Sequence, residues 1–492
     1  MGQKFLFKGG YVATMDDSLG DFPNGAVLVE DGIIQAVGKA EDIAATDAET
    51  INTEGGVVMP GMVDSHRHTS LSLMRGFAAD QSLLQFLLDS YTKYLPAISP
   101  EDAYTSALVG ALEALDSGVT TILEPEEGCQ SRQHAEASLK GLEDSGIRGF
   151  FCFGMNDAEY SGAKTGRDAH KARLAHLNEL HKINLSSGDK LVRVGLSISH
   201  PGTVPFDLTG EEIRFAQDRG MLCCSHSACL KSSVMLKGIV ERADNGLMLP
   251  GHVYIHCTNL NPKEIKLIAD SGGKISIAPE TEMQMGMGIP PFRQCIDHGV
   301  KVSISQDISA AAPPSLLAQM RLGLQLQRCL DNEAMHDKRK VPLHLDLTVR
   351  DALIWGTRNG ADALNLADQI GTLTPGKRAD VVFISDKRAL APSMNPLATT
   401  LLCSSPADVD TVMIDGKIRK RNGQLVGYDL EKIRANAKQA VKRISDALAN
   451  LPPGMTQEEL KGYLLESERS TRSNFARAYN DENARGDWHR RN

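Results

Sequence analysis

Histidine and aspartate recur in this chain at the ends of short apolar runs. The stretch "MPGMVDSHRHT" places His66 and His68 just after the run 57–63. His200 follows the run 192–198, His226 follows 221–225, His256 ends 252–256 and Asp307 follows 300–305. Imidazole and carboxylate are the donors that hold Zn²⁺, Fe²⁺ or Mn²⁺, and three or four of them leave room for a water on the ion. Such a water loses its proton near neutrality and becomes a nucleophile. Residues at i and i+2 of an extended segment point the same way, so His66 and His68 can face one ion. One strand-end histidine alone is usually structural; five at equivalent positions, closed by an aspartate, form a site if one fold gathers them.

The elements that could gather them are legible. Eight short apolar runs (57–63, 119–123, 148–153, 192–198, 221–225, 252–256, 274–278 and 300–305) alternate with helical stretches. That alternation marks βα units around a parallel sheet. Eight units close a (β/α)8 TIM barrel, whose catalytic groups sit at the C-terminal ends of the strands. No Gly-x-Gly-x-x-Gly follows a run, which counts against an open dinucleotide-binding sheet. The expected division is a barrel over 57–364 and a small composite β-sandwich built from 1–56 and 365–427. A helical extension over 428–492 completes it, with Leu430, Ile433, Ala437, Val441, Ile444 and Leu448 at helical spacing.

Composition narrows the partners. Formal net charge is −9, with 41% hydrophobic and 23% charged residues. An acidic total argues against nucleic acid or an anionic membrane as the main partner. No apolar leader or membrane-length run is visible, and the nine cysteines form no Cys-x-x-Cys pair. Reduced thiols and a cytoplasmic location are expected. The helical tail suggests a homodimer or tetramer, the alternative being a tail that packs on its own barrel.

"VVMPGMVDSHRHT", "YIHC", "SIAPETEMQMGMGIPP" and "ALIWGTRNGADALNLADQIGTLTPGKRADVVFI" resemble the motifs of the amidohydrolase superfamily. The resemblance is to its branch of aminohydrolases and chlorohydrolases acting on triazines, guanine and cytosine. It covers nearly the whole chain. It implies one divalent metal per chain, zinc first, with iron or manganese as alternatives. The metal would be held by His66, His68, His226 and Asp307, with Asp307 taking the water's proton and His256 orienting substrate or water. Two positions depart from the pattern. The glutamate that family deaminases carry three residues after the fifth-strand histidine is Cys229 here, and the seventh-strand asparagine is Glu282.

A substitute proton shuttle is expected at Glu124, Glu126 or Glu280. Substrate contacts are expected from His256, His200, Arg75, Glu282 and Met287, with Asp80, Phe86 and Met285 near the mouth. The expected reaction is hydrolysis of a carbon–nitrogen bond in a small molecule, such as a cyclic amidine, amide or N-heterocycle. The same donors also suit non-oxidative decarboxylation or iron and O₂ chemistry, and a metal-free scaffold is the non-enzymatic alternative.

Overall fold

The computed structural model describes residues 3–188, 190–451 and 455–476. The break expected at 452–454 and the chain end from 477 lie outside them.

Eight parallel strands form one sheet in chain order: β1 Met62–Asp64, β2 Val119–Glu126, β3 Arg148–Gly154, β4 Val192–Ser197, β5 Cys223–Ser227, β6 Val253–His256, β7 Lys274–Ile277 and β8 Val302–Ile304. Nearly every residue in them is buried, as expected of strands covered on both faces. The sheet closes on itself. The Ser65 amide donates to the Ile304 carbonyl at 3.3 Å, Asp307 N–H donates to the His66 carbonyl at 3.1 Å, and Arg67 bridges Asp307 in parallel. The fold is a TIM barrel, and its closing seam runs through the residues expected to bind metal.

The first apolar run is two strands. Val57–Pro60 leaves the barrel and pairs antiparallel with Val381–Ile384, while Met62–Asp64 stays in it. The barrel sheet therefore starts at 62, not at 57. Gly61 is the joint: a Cβ there would lie 2.1 Å from Thr120 Oγ1, so only glycine lets the two sheets separate this close to β2. β2 also runs past the expected end at 123, to Glu126, which moves the mouth.

Both chain ends build the outer sheets. One six-stranded sheet interleaves Tyr11–Val12 and Val57–Pro60 with Val381–Ile384, Val409–Ile414, Lys417–Arg421 and Gln424–Leu425. A four-stranded sheet uses Lys4–Lys8, Gly25–Glu30, Ile33–Lys39 and Glu49–Asn52. Arg148, at the foot of β3, holds Asp380 through two bonds of 2.8 and 2.9 Å and so ties barrel to sheet. A helix, Pro396–Cys403, interrupts the C-terminal strands; Pro396 at its first turn and the Asn395 cap explain where it starts.

The tail packs on its own barrel. In Leu430–Ala449, Ala440 and Ile444 are buried against the cluster that holds Leu71, Leu83 and Phe86, while Val441 is exposed. In Gln457–Asn474, the carboxylate of Glu468 accepts a 2.8 Å hydrogen bond from Ser233 Oγ, and Phe475 beyond it meets Phe206 edge-on. No helix among the described residues is long and apolar enough to cross a membrane.

Candidate metal centre and substrate pocket

The barrel brings His66, His68, His226, His256 and Asp307 to one point. His66 Nε2 lies 3.0 Å from Asp307 Oδ1, His68 Nε2 lies 3.8 Å from the same oxygen, and His256 Nε2 lies 3.9 Å from Asp307 Oδ2. His68 Nε2 and His226 Nε2 face each other at 3.3 Å. Two overlapping sets of donor atoms, one from His66, His226 and His256 and one from His66, His68 and Asp307, each lie within 4.8 Å. Burial pushes His66 down to about 3, against the pull of Asp307. Burial and the neighbouring His226 push His68 down to about 4. Burial would raise Asp307, but the imidazoles of His66, His256 and His68 hold it below the usual carboxylate range. The neutral imidazoles of His66 and His68 beside the ionised carboxylate of Asp307 are the donor chemistry of a divalent cation.

The backbone is bent to make this point. His256, Cys257 and Asp307 have φ of 72°, 61° and 69°, and Ala228, two residues past His226, has 50°. Non-glycine residues reach this left-handed region at a cost of about 1–3 kcal/mol each, and such strain gathers at functional sites.

Glu127 was not among the expected site residues. One residue beyond β2, it stands 2.8 Å from His226 Nδ1 through Oε1 and 2.9 Å from His200 Nε2 through Oε2. Tyr91 OH donates to it at 3.0 Å and Ser197 Oγ at 3.3 Å. Burial opposes its charge, yet His200 and His226 hold it well below the usual carboxylate range. The signal was present in "EPEEG": once β2 ends at Glu126, the next residue turns into the mouth.

Glu282, expected at the pocket, stands behind His256 instead. Its Oε1 lies 3.2 Å from His256 Nδ1 and accepts from the Ala278 amide at 2.8 Å. Burial raises its pKa. This fixes His256 with Nε2 toward Asp307, the task of a buried orienting carboxylate.

The expected shuttles do not reach the mouth. Glu124 accepts from the Thr69 amide at 2.5 Å and from Ser70 Oγ at 3.3 Å, and burial beside Glu126 raises it to about 8. Glu126 accepts from the Gly128 amide at 2.9 Å, and burial raises it to about 7. Glu280 is held by Gln319 Nε2 at 2.7 Å. None of the three lines the pocket, and neither do Arg75 and Asp80. Arg75 pairs with Glu113, its side chain 61% exposed.

A pocket opens above the donors, and His68, Glu127, His200, His226, Cys229, His256 and Asp307 supply its polar lining. Leu71, Leu83, Phe86, Leu87, Leu95, Leu236, Met285, Met287 and Ile308 form the rest with Ser70, Ser90, Tyr91, Gly128 and Thr281. His200 and Met287 thus stand where the sequence places them, at the pocket wall.

The amidohydrolase family matches residues 57–419, and this chain belongs to it. The family, the fold and the polar cluster make the protein an enzyme of the amidohydrolase type, a hydrolase of carbon–nitrogen bonds. A 5'-deoxyadenosine deaminase of Methanothermobacter thermautotrophicus is 29% identical over 416 residues, covering 82% of this chain and 91% of that one. A 5-methylthioadenosine/S-adenosylhomocysteine deaminase of Symbiobacterium thermophilum is 27% identical over 464 residues, 90% and 99% of the two chains. Among solved structures, a zinc-bound adenosine deaminase from Xanthomonas campestris superposes with a TM-score of 0.77 at 22% identity, over 90% of this chain and 99% of that one. The zinc complex of an atrazine chlorohydrolase from Arthrobacter aurescens gives 0.76 at 22% identity, over 89% and 100%.

Proposed function

We propose that the protein hydrolyses an exocyclic carbon–nitrogen bond of a planar N-heterocycle, with one zinc ion per chain held by His66, His68, His226 and Asp307. The convergence of three imidazoles and one carboxylate at the barrel mouth, directly under a pocket, carries this reading. The zinc-bound structural neighbours support the choice of ion. When bound, the ion supplies a water acidic enough to yield hydroxide near neutral pH.

The chain's own residues do the rest. Asp307 Oδ1 faces His66 and His68, while Oδ2 faces His256; Oδ2 is the oxygen placed to take the proton of the attacking water. His256, held from behind by Glu282, presents Nε2 to the charge that develops on the attacked ring. With Cys229 in the place of the family's glutamate, Glu127 is the one other carboxylate lining the pocket among the described residues. It anchors His200 and Tyr91 at the side where the leaving nitrogen departs.

The test is ammonia release from a panel of aminopurines, aminopyrimidines and aminotriazines. The zinc-loaded protein releases ammonia from at least one of them, loses the activity to a chelator and regains it with zinc. Release of CO₂ or consumption of O₂ without ammonia contradicts the reading.

A further inference from the structure

The helix Gln457–Asn474 turns one stripe inward. Leu464, Glu468, Thr471 and Phe475 recur at the spacing of one helix face, and all four are buried. A carboxylate and a hydroxyl in that stripe mark it as more than a core face. It meets the two loops that follow β4 and β5, 198–205 and 228–238. The inner end of the first loop is fixed from within the barrel. The Glu212 carboxylate accepts from the Ser199 amide at 2.8 Å and from Ser199 Oγ at 2.6 Å, and lies 3.0 Å from His170 Nε2. The outer turn starts at His200, whose carbonyl accepts from the Thr203 amide at 3.0 Å and from Thr203 Oγ1 at 2.7 Å. There Gly202, with φ of 83°, approaches the helix so closely that a Cβ would lie 2.6 Å from Thr471 Oγ1. Phe206, just past the loop, meets Phe475 edge-on with ring centres 5.5 Å apart.

The second loop is held by the same stripe. Ser233 Oγ donates to Glu468 Oε2 at 2.8 Å and accepts from the Met235 amide at 3.1 Å. Val234 is buried in one cluster with Phe206 and Phe475. The two loops also touch, since a Cβ on Gly238 would lie 2.8 Å from Pro201 Cβ. His200 lines the pocket from the first loop, and Cys229 and Leu236 line it from the second. We infer that this helix braces the substrate pocket: Glu468, Thr471 and Phe475 are positioning residues that hold the His200 and Leu236 loops in one arrangement, acting through Ser233, Gly202 and Phe206. The inference rests on the reading above that this pocket takes the substrate. Pocket loops are drawn from the least stable parts of a fold. Ordering them beforehand removes a cost that binding would otherwise meet. None of the four proposed metal ligands lies in either loop, so the brace acts on substrate binding and not on the ion.

The test uses the full-length, zinc-loaded protein with Glu468→Ala, Ser233→Ala, the double variant and Glu468→Gln. Glu466→Ala, on the exposed side of the same helix, is the control. Amide hydrogen exchange read by mass spectrometry needs no substrate; KM and kcat are measured on any amine of the panel that releases ammonia. Glu468→Ala speeds exchange in 198–205 and 228–238 by about tenfold, raises KM by about 3-fold to 10-fold and leaves kcat within about twofold. Zinc content is unchanged. Ser233→Ala, the smaller change, does the same, and the double variant adds little to either, because the two residues act through one bond. Glu468→Gln can still accept that bond and recovers most of the loss, and Glu466→Ala changes nothing. Unaltered exchange in both loops overturns the brace. So does faster exchange with KM unmoved, or a fall in kcat and zinc content in step with the rise in KM. Faster exchange in both loops with no ammonia from any amine leaves the brace standing and removes the hydrolase reading; ammonia release with unaltered loops does the reverse.

Discussion

Glu127 Oε1 lies 2.8 Å from Nδ1 of His226, whose Nε2 faces His68 at 3.3 Å. A carboxylate at this distance favours the tautomer with its proton on Nδ1, which leaves a lone pair on Nε2 for a cation. Orienting carboxylates of this kind are worth about 10–100-fold in metal affinity. Glu127→Gln lowers zinc affinity by about that factor in competition with a chelating dye. An unchanged affinity removes the orienting role.

The four proposed ligands differ from Glu282 in what their loss does. His68→Ala and Asp307→Asn abolish stoichiometric zinc binding and cut kcat/KM by about 10³ or more. Glu282→Gln retains the metal, because the Glu282 carboxylate contacts His256 Nδ1 and the Ala278 amide, not the proposed ligands, and lowers kcat by about 10-fold to 100-fold. Zinc analysis of the three variants beside their kinetics checks the division.

Metal occupancy also shifts stability. A ligand that binds only the folded state stabilises it by about 2.7 kcal/mol at 100 times its dissociation constant. The melting temperature therefore falls on chelation and recovers on adding zinc. A melting curve indifferent to chelator contradicts this.

The tail helix Leu430–Ala449 packs behind the pocket's apolar lining. Ile444 is 3% exposed and packs in the cluster that includes Leu71, Leu83 and Phe86. Ile444→Ala leaves a cavity and costs about 2–4 kcal/mol. It also raises KM more than it lowers kcat, because the residues it supports line the pocket rather than the metal floor. Urea unfolding and steady-state kinetics on the same preparation read both effects.

Asp362 contributes to acid sensitivity away from the site. Burial would raise the pKa of Asp362, but bonds from Lys274 at 2.6 Å and Lys301 at 2.8 Å outweigh it and hold the carboxyl below its ordinary value. The depressed folded pKa means this stabilisation is complete above the unfolded value of about 3.9 and is lost as pH falls through the folded one. Asp362→Asn lowers stability at neutral pH and flattens its fall below about pH 4. A variant whose acid limb matches the parent's removes Asp362 as a contributor.

How much of this was legible in the sequence follows from where each signal is written. The eight strands are apolar runs bounded by helical stretches, and the histidines mark strand ends, so barrel and polar cluster could be read from type and spacing. The split of the first run could not. Val57–Pro60 and Met62-Val63 form one continuous apolar run, and the crowding of Gly61 against Thr120 separates them. Glu127 was missed for a related reason. Strand ends carry no sharp signal when Pro125 continues a buried strand, so the mouth was placed near Glu124 and Glu126, which point into the protein. Glu282 is expected at the pocket because it takes the place of the family's seventh-strand asparagine. The helical turn Pro279–Gln284 rotates it behind His256 instead.

Metal content per chain tests the central claim most directly. Protein purified without added metal and analysed by elemental methods carries one divalent ion per chain, zinc, and His68→Ala carries none. Iron in place of zinc moves oxygen-dependent or decarboxylation chemistry ahead of hydrolysis. No metal, with none taken up on adding Zn²⁺, Fe²⁺ or Mn²⁺, contradicts the account and leaves a scaffold in its place.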